Sequence, residues 1–362
     1  MIDLELDEEQ QLIRETVMSF AAERIRPAAR EADEAGAVPE ALVAAAWELG
    51  LIQGSVPEAY GGYSAQAPSA VTGSLIAEGL AEGDLSIALH LLSPRLVVDP
   101  VLVLGTEEQK QQLLPTYLGE RFVPGSAAVL EPHTNFHFTK MHTTARRDAE
   151  GWVLDGDKCM VPLAASAPYI VVYATDHEGT LTAFVVASGT PGLEIGEREK
   201  TLGLHALELY SVALRGCRVP DSARLPGDAS GLLRRARVAQ SAMAVGVAKS
   251  SLDYAIGYAK ERDAFGVKIG QKQAIAFMLA DMATETDAAR LLNWEAAWNL
   301  DQGNEASREV AIAHRYCADI VMTVTDNGLQ VLGGHGFIRD HPSEMWLRNG
   351  RGFATFEGIA SV

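Results

Sequence analysis

The chain has 362 residues, 48% hydrophobic and 22% charged, with 30 Lys and Arg against 48 Asp and Glu for a formal net charge of −18. That composition belongs to a globular protein with room for two or three domains and a core that needs no disulfide or metal. The acid excess excludes a nucleic-acid binder, which needs a basic face, and argues against an anionic membrane surface.

An anionic ligand must therefore be met by a local basic patch. Cys159, Cys217 and Cys317 lie far apart with no CxxC pair, which fits a reducing compartment. The start MIDLELDEEQQ has no signal-peptide pattern, and no apolar run is long enough to span a bilayer. A cytoplasmic protein without membrane insertion is expected.

Residues 1–120 are predicted to form an all-helical domain. Leu12, Ile13, Val17, Phe20 and Ile25 recur near the helical period, Asp7 is placed to cap that helix, and Pro27 and Gly36 punctuate it. A second helix starts at Pro39 and ends at Gly50, the run from Pro57 through Tyr60 to Gly62 makes a turn, and a further amphipathic helix opens at Gly105. Residues 121–225 change to short apolar runs: Trp152 to Gly156, Tyr169 to Tyr173, Leu181 to Val186 and Leu209 to Leu214 read as strands. Asp155-Gly156 and Glu178-Gly179 are the candidate hairpin turns, and the cluster is a small barrel or sandwich. Residues 226–362 return to long amphipathic helices, Leu232 to Arg262, Gln271 to Leu300 and Ser307 to Leu332, which predict a four-helix bundle. The fold class is α+β, with helices, strands and helices in that order.

Three C-terminal stretches carry chemistry. RDAFGVKI, from Arg262 through Phe265 to Ile269, is followed by Gln273. Gln330 precedes the pair Gly333-Gly334, and Phe356-Glu357-Gly358 comes near the end. An arginine at a helix-to-loop junction offers a forked donor to a pyrophosphate, and bare glycines let backbone approach a phosphate closely. Taken singly, these are a helix-terminal arginine, a helix cap and a loop glutamate. Glu357, set before a glycine after an aromatic approach, is a candidate base if its pocket is dry.

In combination, with the Pro57–Gly62 turn and the segment GTEEQKQQLLPTYLGE, these landmarks resemble the acyl-CoA dehydrogenase family over essentially the whole chain. The resemblance implies that Glu357 takes the α-proton of an acyl-CoA thioester while a hydride leaves the β-carbon for FAD. It implies that the Glu357 backbone N–H helps hold the thioester carbonyl. Arg262, Phe265, Gln273, Gln330, Gly333 and Gly334 would reach the FAD of a neighbouring subunit in a homotetramer or heteromer. An electron-transfer flavoprotein would reoxidise that flavin, in fatty acid metabolism.

The strand domain departs from the family pattern. The family's Thr-Glu-Pro-Gly-x-Gly-Ser-Asp is here Leu130, Glu131, Pro132, His133, Thr134, Asn135, Phe136 and His137. Its Lys-x-Trp-Ile-Thr-Asn is here Lys158 to Leu163, with Met160 for the tryptophan and Pro162 for the hydroxyl. The alternative expectation is a non-catalytic or half-catalytic subunit that braces a partner's FAD; a third is the same fold acting on a different substrate, as in relatives that take amines or nitroalkanes. His133, His137 and His142 read as loop histidines without a metal, since no carboxylate or cysteine completes a set. Asp281, Glu285, Asp287 and Arg290 read as a solvated face or subunit contact.

Overall fold

In the computed structural model, which describes residues 4–65 and 68–362, Asp7 caps helix α1 (Glu8–Phe20). Its carboxylate accepts from the Gln10 N–H at 2.8 Å while the Gln10 side chain accepts from the Asp7 N–H at 3.2 Å, a reciprocal capping box. The helical path does not break at Pro27. A π turn at Ala21–Ile25 leads into α2 (Arg26–Ala35), and Pro27, which has no N–H to give the ladder, stands just after that widened turn, where the Arg26 N–H donates to the Ala21 carbonyl. The stop comes at Gly36, left-handed at φ 68°. Helices α3 (Glu40–Trp47), α4 (Ala70–Gly83), α5 (Leu85–Leu91), α6 (Arg95–Leu104) and α7 (Glu107–Leu113) follow. α4 is buried almost all round, and its free N-terminal amides are met by Asp301, whose carboxylate accepts from Ala70 at 2.6 Å and Val71 at 3.1 Å.

The middle of the chain is one eight-stranded sheet: β1 (Ser126–Ala128), β2 (Thr144–Asp148), β3 (Gly151–Pro162), β4 (Tyr169–Asp176), β5 (Leu181–Ala187), β6 (Leu193–Arg198), β7 (Leu209–Val219) and β8 (Arg224–Leu225). The order is β6-β7-β3-β2-β4-β5-β8, with β1 parallel on β4. Gly179, at φ 82°, turns β4 into β5 as its sequence predicts. Asp155-Gly156 is not a turn. Both residues lie within β3, at a register shift against β7, and Gly156 is there because a Cβ would stand 2.5 Å from Thr143 Oγ1. Trp152, Leu154, Val172 and Phe184 build a core of the sheet's own.

The C-terminal part is α8 (Ser230–Glu261), a short hairpin of β9 (Asp263–Ala264) and β10 (Val267–Lys268), α9 (Gln273–Asp301), α10 (Ser307–Leu332) and α11 (Ser343–Gly350). α8 is 32 residues long and packs between α4 and α10. The helices approach closely where side chains are missing: a Cβ on Gly246 would meet the Glu78 carbonyl at 2.3 Å, and one on Gly328 the Ser251 hydroxyl at 2.2 Å. The solvated reading holds for Asp281 and Asp287 but not for Arg290. Its Nε donates to the buried Glu78 at 2.7 Å, so Arg290 pins α9 to α4.

Candidate active site and cofactor platform

Glu357 owes its position to the glycine beside it. Gly358 is left-handed at φ 69°, and a Cβ there would lie 2.2 Å from Val129 Cγ2. The motif is thereby pressed against the residue before Leu130, whose carbonyl accepts from the Cys159 N–H of β3 at 2.9 Å. Glu357, Leu130 and Met160 thus converge at the junction of the sheet and the C-terminal helices. The Glu357 side chain is 13% exposed and both its oxygens are engaged: Arg237 of α8 donates Nη2 to Oε1 at 2.5 Å and Nε to each oxygen at 3.2 Å. Phe138 covers the pair, its ring centroid 4.3 Å from the Arg237 Cζ. His314 Nε2 stands 4.0 Å from Glu357. Burial holds His314 below its usual pKa and Arg237 adds to this, against the pull of Glu357. Gln240, at i+3 from Arg237 on the same face of α8, is 1% exposed with no partner for either amide atom among the described residues.

The loop that carries Phe138 is fixed at both ends by one carboxylate. Glu131 accepts from the His142 N–H at 2.7 Å and the Thr143 N–H at 2.8 Å, and its charge is met by Lys158 Nζ at 3.0 Å. Both side chains of that ion pair are fully buried. Burial lowers Lys158 to about 8, with Glu131 opposing the shift. Between the fixed ends, Phe136 and Phe138 turn in against the core. His133 lies out on the loop with its ring tilted against that of His142, centroids 4.2 Å apart, while His137 bonds Thr139 at 2.7 Å. The Met160 N–H donates to Glu199 at 2.9 Å, and the Pro162 carbonyl accepts from Ser126 at 2.6 Å. The inner junction is closed by its own side chains.

The other predicted residues gather at the opposite end of α8. Arg262 follows its last turn, and Phe265, at φ 51°, is 95% exposed on the hairpin. Gln273, Gln330, Gly333 and Gly334 are exposed as well. The two sequence signatures are joined by the Tyr258 hydroxyl bonding His335 Nδ1 at 2.7 Å, one residue past Gly334 and one turn before Arg262. A Cβ on Gly333 or Gly334 would meet nothing within 4 Å, so the backbone there is open to an approaching group. From Arg237 to Arg262 is 25 residues of helix. At 1.5 Å each that is about 37 Å between the two clusters.

The sequence singles out Glu357 and the residues from Arg262 to Gly334 but gives no signal for His314, Gln240 and Phe138, which the structure brings around Arg237 and Glu357. Arg237 is hidden in the run LLRRAR, and its signal was positional: a cation inside a helix that is otherwise buried must face an anion.

Three family models match the chain in order: acyl-CoA dehydrogenase N-terminal domain over residues 7–120, middle domain over 126–217 and C-terminal domain over 228–362. The chain is 33% identical to the mitochondrial short-chain specific acyl-CoA dehydrogenase of Bos taurus, over 99% of this chain and 89% of that one. It is 35% identical to the benzylmalonyl-CoA dehydrogenase of Aromatoleum aromaticum, over 97% and 94%. The solved butyryl-CoA dehydrogenase of Megasphaera elsdenii superposes with a TM-score of 0.88 at 27% identity, over 99% of this chain and 96% of that one.

Proposed function

The chain belongs to the acyl-CoA dehydrogenase family, oxidoreductases acting on CH–CH groups of acyl-CoA, and on that premise we propose that it serves the FAD-dependent α,β-desaturation of an acyl-CoA thioester within an oligomer. The observation that carries the oligomer is the distance along α8: the platform of Arg262, Phe265, Gln273, Gln330, Gly333 and Gly334 lies about 37 Å from Arg237, which holds Glu357. The flavin it would touch belongs to a neighbour, self or related. That platform fits FAD. Arg262 and Gln273 are donors for a pyrophosphate, Phe265 can pack beside a ring, and Gly333-Gly334 leave backbone free for phosphate. When bound, FAD supplies the acceptor for the β-hydride, and electron-transfer flavoprotein is the partner that reoxidises it.

The inner junction fits a flavin poorly. Leu130 and Pro162 offer no hydroxyl, the Met160 N–H is spent on Glu199, and Phe138 lies on the Arg237–Glu357 pair. This favours a second reading, a half-catalytic subunit that braces a partner's FAD. In the self-sufficient reading Glu357 takes the α-proton only after Arg237 turns away from it. Arg234, Arg235 and Arg237 then make the local basic patch that an anionic thioester needs in a protein of charge −18. One relative is named for short-chain acyl-CoA and the other for benzylmalonyl-CoA, which carries a free carboxylate besides its thioester. The setting proposed is cytoplasmic, in keeping with three free cysteines.

The visible spectrum of the purified chain separates the two readings. Near one flavin per chain rules out the bracing subunit; a colourless protein that gains flavin only with a co-expressed relative rules out the self-sufficient enzyme. In a yellow protein, Glu357→Gln should abolish thioester oxidation and keep the flavin. Unchanged turnover removes Glu357 from the reaction.

A further inference from the structure

A carboxylate that takes a proton needs one partner as an anion and another as an acid. As an anion Glu357 is held by Arg237, which donates to both of its oxygens. As an acid it carries an O–H, and a guanidinium, which has donors only, cannot accept from it. His314 of α10 can. Its Nε2 stands 4.0 Å from Glu357 Oε1, and its ring makes no hydrogen bond among the described residues. The two side chains are 17% and 13% exposed, so they share one nearly dry corner that water still reaches.

The neighbours of His314 on α10 turn elsewhere, Arg315 to Asp319 and Tyr316 to Glu285. The charges that act on the ring are Glu357, which favours the imidazolium, and Arg237 of α8, which opposes it. Burial opposes it more strongly than either. The balance favours the uncharged ring, and an uncharged imidazole has one bare nitrogen that can take a proton. Nothing in the desaturation set out above uses that nitrogen.

We propose that His314 is the acceptor through which Glu357 passes on the α-proton, acting through Glu357 and not on the thioester itself. This rests on the thioester reading above and deepens it. The proton steps balance without a redox partner. Once Arg237 has turned away, the α C–H bond breaks, its electrons stay on the substrate as an enolate, and the proton bonds to Glu357. The neutral acid no longer attracts Arg237. Its O–H then passes the proton to His314 Nε2, leaving a carboxylate and an imidazolium, and water takes the proton from the ring. The restored carboxylate draws Arg237 back. A shift of about 1 Å brings the 4.0 Å gap within reach of proton transfer.

Deuterium uptake at the α-carbon of butyryl-CoA in D2O, with no electron acceptor, reads these steps on the protein as purified with whatever subunit accompanies it. The wild type should exchange and Glu357→Gln should not. His314→Gln, similar in size but not a base, should slow exchange at least about ten-fold while butyryl-CoA affinity stays within about two-fold. The pH profile separates a relay from a structural role. Glu357 and His314 each work only without their proton, so wild-type exchange rises with pH along a limb of two ionisations, and His314→Gln should keep one. If His314→Gln does not fold, His314→Ala supplies the test: free imidazole should restore its exchange, and no restoration overturns the relay. Exchange that needs Glu357 but keeps its rate and pH profile in His314→Gln overturns the relay alone, as does a loss matched by an equal loss of affinity. No exchange in the wild type, or exchange that survives Glu357→Gln, overturns the thioester base and this inference with it.

Discussion

Replacing Gly358 by alanine tests whether the Glu357 motif is held against the strand domain as described. Two effects add. The left-handed backbone at φ 69° costs a non-glycine residue about 1 kcal/mol. The new Cβ would lie 2.2 Å from Val129 Cγ2 and 2.6 Å from Val129 Cβ, atoms of a stiff β-branched side chain, and overpacking of that kind costs about 1–3 kcal/mol. Gly179→Ala is the internal control. At φ 82° it carries the backbone strain, but its Cβ meets nothing within 4 Å, so only the first cost applies. Urea denaturation should therefore show a loss of about 1 kcal/mol for Gly179→Ala and about 2–4 kcal/mol for Gly358→Ala. In a Val129→Ala background the second loss should shrink by about 1 kcal/mol, because the nearest atom has gone while the Cβ remains. Equal losses at the two glycines, or full additivity with Val129→Ala, would show that the motif does not rest on Val129.

Gly334→Val places a side chain in open, exposed space, so Tm should stay within about 1 °C while flavin retained by the assembly falls at least about ten-fold; retained flavin removes Gly334 from the platform. Arg237→Met leaves the mostly buried Glu357 without its partner and should cost about 1–3 kcal/mol, reduced from a fully dry pair because water reaches both groups. A urea midpoint at the wild-type value refutes the pairing. Burial, with Glu78 adding, lifts the Glu82 carboxyl from 4.5 to about 7. The folded protein thus keeps a proton that the unfolded chain has lost, so this contribution is full below about pH 4.5 and is lost as pH rises through about 7. Glu82→Gln should gain up to about 3 kcal/mol on the wild type between pH 5 and pH 8, and a pH-independent difference refutes the shift.

The order of helices, strands and helices was legible because the hydrophobic period changes from helical to alternating and back, and that signal is local. Asp7, Gly36 and Glu178-Gly179 were legible for the same reason, as caps and turns are written in a few consecutive residues. Asp155-Gly156 misled because the same dipeptide serves a hairpin turn and a bulge; the close approach of Thr143 decides between them, and Thr143 is on another strand. Pro27 misled because the π turn before it carries the helical path past a residue that has no N–H to give. Arg290 looked solvated from its own helix, but its partner Glu78 lies over 200 residues away. Glu357 was legible as a motif residue. What its carboxylate touches was not, since Arg237, His314 and Phe138 come from three separate elements.

The carboxylate that closes both ends of the loop after β1 also governs what that loop is free to become. Glu131 fixes His142 and Thr143 as well as its own strand end, and Lys158 keeps it charged in the dry interior. Everything between the anchors is a cassette whose ends do not depend on its contents. Residues 133–140 can then vary without loosening those anchors, although Phe136 and Phe138 would give up their packing against the core. A graft of the Gly-x-Gly-Ser-Asp type into those anchors should keep the Glu131 bonds to His142 and Thr143 while it uncovers the Arg237–Glu357 pair. The enzyme's chemistry and its scaffold are in this way separable at one buried ion pair.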